Sequence, residues 1–262
     1  MLRPRIIPCL LVRNGGLVKT VRFGSPKYVG DPLNTVRIFN EKEVDELAVY
    51  DIDATVESRE PDYRLIEHLA VECRMPLCYG GGVRTVEQIQ RIVGLGVEKI
   101  AISAAAAANP GIVRDGAVRV GSQSIVVVMD VKRRGLLHRS EVVTHNGRRA
   151  TGLSPVEFAV TCERLGAGEI VINSVDRDGT MGGYDLEAVR RVRDATSLPI
   201  TAVGGAGSLE DIASLIGEFG VIGAGAGSLF VFKGKYRAVL VNYPSGEEKE
   251  GILRRAAGDA RR

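Results

Sequence analysis

Apolar runs of strand length alternate with helical patterns from one end of this chain to the other. The runs expected as strands are Arg5–Val12, Glu46–Ile52, Met75–Tyr79, Lys99–Ile102, Ser124–Val131, Glu169–Asn173, Pro199–Val203 and Val221–Ala224. Such an alternation leaves few folds open. Neighbouring parallel strands need crossovers of about a dozen residues, and helices supply them here. Eight such units in about 250 residues predict an α/β protein, a closed (β/α)8 TIM barrel. An open doubly wound sheet is the rival, but it usually holds fewer strands.

The helices announce their own starts. Asp31-Pro32 offers an N-cap followed by proline at the first helical position. Thr85–Gln88 and Ser154–Glu157 read as capping boxes, while Asp185 and Ser208 read as simple caps. Gly96 and Gly166 fit the left-handed stop after a helix. Two stretches break the rhythm. Lys132–Gly152, with Asn146-Gly147 as a type I′ turn, predicts a β-hairpin inserted after the fifth strand. After Ser228 the expected last helix is weak: Tyr236–Pro244 reads as a strand or a short helix, and Arg254–Arg262 as a frayed basic tail.

The chain also repeats itself. Tyr79-Gly80-Gly81-Gly82-Val83 resembles Val203-Gly204-Gly205-Ala206-Gly207, and each is followed by a helix and a strand ending in small residues. Asp51-Ile52-Asp53-Ala54-Thr55 resembles Asp176-Arg177-Asp178-Gly179-Thr180, and Ile6–Val12 aligns with Ile125–Val131. A single domain over residues 1–262 is expected, built as half-barrels of about 1–120 and 121–250.

The glycine loops point to chemistry. A glycine-rich turn leading to a helix N-terminus presents backbone N–H groups to an anion, and no Cβ blocks its approach. Gly204, Gly205, Gly207, Gly227 and Ser228, with Gly179 beside them, would form one phosphate site. Gly81, Gly82, Ser103 and Ala104 would form its duplicate on the opposite side. Two sites predict a substrate with a phosphate at each end, or a diphosphate held in one of them. Asp130 ends the most apolar strand and is the best candidate for proton transfer. Asp51, Asp53, Asp176 and Asp178 are expected as further carboxylates at the mouth. Arg84 and Arg177 read as charge balance, Tyr79 and Tyr184 as packing or rim residues, and His68, His138 and His145 as solvated surface.

At the other strand ends, Arg5, Glu46, Lys99 and Glu169 alternate in sign. They are either ordinary surface charge or a closed ring gating a passage through the barrel floor. A net charge of +3 gives no argument for nucleic acid or an acidic membrane surface, and no apolar run is long enough to span a bilayer. Cys9, Cys73, Cys78 and Cys162 show neither metal-ligand nor redox spacing. A cytoplasmic protein without metal or cofactor is expected.

Together these residues resemble the cyclase subunit of imidazole glycerol phosphate synthase, the HisF family, over residues 3–232. The most specific stretch is Asp176–Thr180 followed by Gly183-Tyr184-Asp185. Arg5-Ile6-Ile7, Gly30-Asp31-Pro32, Asp45-Glu46-Leu47, Gly80-Gly81-Gly82, Val126–Asp130 and Gly204–Gly207 add to it. The resemblance implies a half-barrel duplication, two phosphate sites at the top, a HisH-like glutaminase docked below, and an ammonia gate at Arg5, Glu46, Lys99 and Glu169. It implies two catalytic aspartates, of which Asp130 matches the second. The first position holds Leu11, and Ser103-Ala104 stands where the family has Asn-Thr. These departures resemble the branch associated with surface-polysaccharide genes. There the barrel would relay ammonia for an acetamidino group on a nucleotide sugar. Authentic cyclase action in histidine biosynthesis and a non-catalytic scaffold for the glutaminase are the alternatives.

Overall fold

The computed structural model describes residues 3–134 and 139–259. In chain order its main strands are β1 (Arg5–Arg13), β2 (Gly16–Val21), β3 (Gly24–Gly30), β4 (Leu47–Asp51), β5 (Leu77–Gly80), β6 (Lys99–Ile102), β7 (Ile125–Arg134), β8 (Arg139–Thr144), β9 (Arg149–Ala150), β10 (Glu169–Ser174), β11 (Ile200–Val203) and β12 (Gly223–Ala226). All but β2, β3, β8 and β9 are parallel and close into an eight-stranded barrel. Each barrel strand pairs with the next, and β12 returns to β1 through Arg5↔Gly223 to Pro8↔Ala226. The helices packed between them are α1 (Pro32–Glu41), α2 (Tyr63–Glu72), α3 (Val86–Gly94), α4 (Ala104–Ala108), α5 (Gly111–Val120), α6 (Pro155–Arg164), α7 (Leu186–Arg193) and α8 (Leu209–Phe219).

Strand parity divides the core in two. Successive side chains point to opposite faces of a strand. In β1 the residues Ile6, Leu10 and Val12 join the large core under the helices. Ile7 and Cys9 point inward, where Ala48, Cys78, Ala101, Val126 and Val171 meet them. The same parity carries Leu11 and Asp130 to the inner face at the upper ends of β1 and β7. It carries Arg5, Glu46, Lys99 and Glu169 to the inner face at the lower ends. The interior is filled by side chains, branched Ile7, Val126 and Val171 together with the smaller Cys9, Ala48, Cys78 and Ala101, so the barrel is packed rather than an open pore.

The helix starts follow their caps. Asp31, Asp62, Thr85, Asp185 and Ser208 each accept a backbone N–H from the first turn, and Thr85 and Ser208 complete capping boxes with Gln88 and Asp211. Ser154 makes no side-chain cap bond, so the box expected with Glu157 does not form. Pro155 at the first helical position already removes one orphan donor there. Gly96 and Gly166 both take positive φ after their helices.

Several elements depart from expectation. The β2–β3 hairpin stands where no strands were expected. The last barrel strand lies two residues further on than predicted. Its Gly-Ala-Gly-Ala sequence has no bulky or β-branched side chain to mark it. After β7 the chain folds back as β8 and β9 around a turn with Asn146 and Gly147 at positive φ. Beyond β12 come a one-turn helix α9 (Ser228–Val231) and the short strands β13 (Phe232–Lys233) and β14 (Ala238–Val239). The stretch expected as a frayed tail from Arg254 belongs instead to α10 (Gly246–Asp259) up to Asp259. Ile252 and Ala256 on that helix are buried in the outer core, enough apolar area to hold it down. Among the described residues no helix is long and apolar enough to cross a membrane.

Candidate functional site

The upper ends of the barrel strands enclose a cavity of ≈ 170 Å³. Leu11 and Asp130 both line it, so the two positions face one space. Asp130 accepts a hydrogen bond from Asn173 Nδ2 at 2.9 Å. Burial pushes its carboxyl up to about 7, against the Asn173 bond that favours the charged form, and the nearby Asp178 charge adds to the rise. A carboxyl in that range can give or take a proton near neutrality. Leu11 cannot, so of the two facing positions one holds a carboxyl and the other does not.

The β2–β3 hairpin supplies what the sequence reading missed. Lys19 on β2 is 5% exposed and lines the cavity. It is the one Lys or Arg on the cavity wall among the described residues. Its ammonium donates to the Cys9 carbonyl and stands against Gly227. Burial brings its pKa down to about 8, with Asp178 partly restoring it. Part of the signal was present: Asn14-Gly15, both at positive φ, form the turn that leads from β1 into β2, joining Arg13 to its partner Gly16.

The expected carboxylates divide. Asp178 lines the cavity and anchors the hairpin tip, accepting from Thr20 Oγ1 at 2.7 Å and Phe23 N at 3.1 Å. Burial raises its pKa despite those donors. Asp51 also lines the cavity, but Arg59 holds both its oxygens at 3.2 and 3.3 Å. Asp53 and Asp176 do not reach the cavity, correcting the expectation of four mouth carboxylates. Asp53 is bound by Arg13 at 2.7 Å, and Asp176 accepts from Arg133 N at 2.9 Å. Among the described residues Arg177 pairs with no carboxylate. It donates to the Gly182 carbonyl at 2.8 Å and so shapes a loop. Tyr79 and Tyr184 are buried packing residues, the latter donating to the Gly225 carbonyl.

Both glycine loops border the cavity. Gly81, Gly82, Ser103 and Ala104 lie on one side; Gly179, Gly204, Gly205, Gly227 and Ser228 lie on the other. Gly207 is absent from the wall, because its N–H is spent on Asp211 at 2.9 Å. Gly205 has φ +107°, and a Cβ there would run into the Gly183 carbonyl. No other residue fits without moving that loop. Ser103 and Gly227 precede α4 and α9 without capping them, leaving first-turn N–H groups beside the cavity. His145, expected as solvated surface, also lines the cavity from the β8–β9 turn. His68 is exposed on α2, and His138 lies outside the described residues.

At the floor the four charges form a closed ring. Arg5 pairs with Glu46 and with Glu169 at 2.7 Å; Lys99 pairs with Glu46 at 2.7 Å and Glu169 at 2.9 Å. Thr201 Oγ1 donates to Glu169. Burial would raise the Glu169 carboxyl, yet Arg5 and Lys99 hold it below the usual range. Above the ring, Ile7, Cys9, Tyr50, Cys78, Val126 and Val171 surround a gap of ≈ 10 Å³. Cys9, Tyr50 and Val171 border both this gap and the mouth cavity. The cysteines inside the barrel are free thiols, with Cys9 pushed up to about 12 by burial.

A closed (β/α)8 barrel with a ligand-sized cavity at the carboxyl ends of its strands defines an enzyme-type barrel in which the upper loops carry the chemistry. Residues 5–237 match the family described as histidine biosynthesis protein. A Leptospira interrogans protein with the provisional name imidazole glycerol phosphate synthase subunit HisF is 55% identical over 253 residues. The match covers 97% of this chain and all of that protein. A Vibrio vulnificus protein, provisionally named imidazole glycerol phosphate synthase subunit hisF3, is 56% identical, with 97% of each chain covered. The imidazole glycerol phosphate synthase subunit HisF of Alkaliphilus metalliredigens is 44% identical over 88% of this chain and 91% of its own. The chain belongs to the HisF family.

Proposed function

We propose that this chain is the ammonia-using synthase subunit of a glutamine amidotransferase pair, working in the cytoplasm with a HisH-like glutaminase. Its ammonia serves to make an acetamidino group on a nucleotide sugar for O-antigen and lipopolysaccharide biosynthesis. The observation that carries this reading is Leu11 facing Asp130 across one cavity. Closing an imidazole ring with acid–base help on both faces needs two proton-handling groups, and loss of one costs about 10²–10⁴-fold in rate. A barrel that relays ammonia and holds a phosphorylated ligand needs only one.

Other features support the same reading. The ring of Arg5, Glu46, Lys99 and Glu169 surrounds the barrel axis at the floor, where ammonia from a docked glutaminase would enter. The small inward side chains Ala48 and Cys78 border the gap above the ring. The glycine loops and Lys19 supply N–H donors and a cation for phosphate oxygens. Asp130 then orients the ligand or manages its proton.

Authentic cyclase action in histidine biosynthesis is the second reading, favoured by the name of the Alkaliphilus relative. A scaffold that only activates the glutaminase would need neither Asp130 nor the glycine loops. The test is reconstitution with the matching glutaminase and an amidotransferase-like third enzyme. Glutamine-dependent conversion of a UDP-acetamido sugar to its acetamidino form, read by mass spectrometry, is the expected result. Complementation of a histidine auxotroph lacking its cyclase would overturn the proposal.

A further inference from the structure

Two segments of the chain hold no aspartate or glutamate at all. Residues 13–30 carry Arg13, Lys19, Arg22 and Lys27; residues 229–246 carry Lys233, Lys235 and Arg237. Over the whole chain, by contrast, acids and bases nearly balance, at 32 against 35. The first segment is the β2–β3 hairpin and the second is the β13–β14 excursion, and the fold brings them together. Phe232, buried at the start of β13, has Lys27 Nζ at 5.3 Å and the Arg237 guanidinium at 4.7 Å from its ring centre. One ring thus fixes two cations from distant parts of the sequence.

Register ties this rim pair to the cavity. Lys19 and Lys27 are direct partners in the β2–β3 ladder. Directly opposed residues of an antiparallel pair lie on the same face, about 4.5–5.5 Å apart at the backbone. Lys19 is buried, and the Cys9 carbonyl is its one hydrogen-bond partner among the described residues, although an ammonium has three N–H groups. Lys19 thus stands inside against Gly227, and its strand partner Lys27 stands with Arg237 at the Phe232 ring outside the cavity wall. The opposite glycine loop has no such support. Around Gly81, Gly82, Ser103 and Ala104 no described Lys or Arg lines the wall, and Asp51, close behind Gly81, is paired with Arg59.

We infer that Lys27 and Arg237 form an outer subsite continuous with Lys19 and the Gly227–Ser228 loop, built for a diphosphate, so that the ligand is a nucleoside diphosphate derivative entering over β1 and β12. A ligand with one phosphate at each end of the cavity would meet a lysine or arginine at only one of them. This inference rests on the nucleotide-sugar reading above and deepens it.

The experiment is calorimetric titration of the full chain with orthophosphate, pyrophosphate and uridine diphosphate at fixed low salt. Pyrophosphate and uridine diphosphate are expected to bind once per chain, about ten-fold tighter than orthophosphate. Lys27→Ala and Arg237→Ala are each expected to weaken pyrophosphate about five-fold while leaving orthophosphate within about two-fold, the scale of a partly exposed ion contact. Circular dichroism and an unchanged melting temperature confirm that both variants fold. Pyrophosphate binding no tighter than orthophosphate, or untouched by both variants, would overturn the outer subsite while sparing the phosphate loop. Failure of all three ligands to bind would remove the nucleotide-sugar reading itself.

Discussion

Replacing Asp130 with asparagine should stabilise the protein, and by more as pH rises from about 4 to about 7. The carboxyl sits at about 7 in the fold against an ordinary 3.8. At about 1.4 kcal/mol for each pH unit, the ionised fold carries a penalty of up to about 4 kcal/mol. The cavity is open to solvent at the mouth, so screening reduces this to about 1–2 kcal/mol. The sign follows from linkage. A carboxyl whose folded pKa is raised binds its proton more tightly in the fold. Its contribution is therefore full below about pH 4 and falls as the unfolded chain ionises, with the loss complete above about pH 7. The substituted amide keeps an acceptor for Asn173 and never ionises. The melting temperature of Asp130→Asn should therefore exceed that of the parent by about 2–8 °C at pH 8, given about 2–4 °C per kcal/mol at this size. Near pH 4 the two should coincide. An offset that is the same at pH 4 and pH 8 would rule out the shielded carboxyl as its cause.

Three further outcomes follow from the same geometry. Glu169→Ala should cost about 3–5 kcal/mol in denaturant unfolding, since Arg5 and Lys99 would each lose a buried partner; a loss under about 1 kcal/mol, the range of exposed pairs, would mean the ring is solvated. Lys19→Met should weaken orthophosphate binding about ten-fold at pH 7. Binding by the parent should fade above about pH 8, as the ammonium loses its proton; equal affinity well below and well above that pH would contradict this. Gly205→Ala should lower stability by about 1–3 kcal/mol through its φ of +107° and the Gly183 carbonyl behind it, read as a fall in melting temperature.

How much of this was legible in the sequence differs by element. The barrel strands were visible because both their faces are covered, which leaves continuous apolar runs. The exception was Gly223–Ala226, where glycines that make room for Thr201, Val203 and Cys9 also erase the strand signature. Leu11 and Asp130 could be placed together because the duplicated strands share one parity. The floor ring was readable as alternating charge, but its closure depends on side-chain reach across the barrel, which no linear pattern encodes. Asp53 and Asp176 looked equivalent to Asp51 and Asp178, yet beyond the strand ends Arg13 and the Arg133 N–H engage them away from the cavity. The β2–β3 hairpin was overlooked because its own turn, Arg22-Phe23, holds neither glycine nor asparagine, and β3 is mostly exposed with no apolar alternation over Gly24–Gly30. Lys19 went with it. The outer subsite joins residues more than 200 positions apart, and only the fold brings Lys27 to Arg237.

A carboxyl at only one of the two facing positions, Asp130 without a partner at Leu11, is the point on which the functional reading stands. Ammonium-dependent formation of imidazole glycerol phosphate, measured for the parent and for Leu11→Asp under identical conditions, probes it without intermediaries. The parent should be at least about 100-fold slower than Leu11→Asp, the scale expected for a missing acid–base group. A parent that forms product as fast as Leu11→Asp, and loses that activity on Asp130→Asn, would show that one aspartate suffices and that Leu11 marks no change of function.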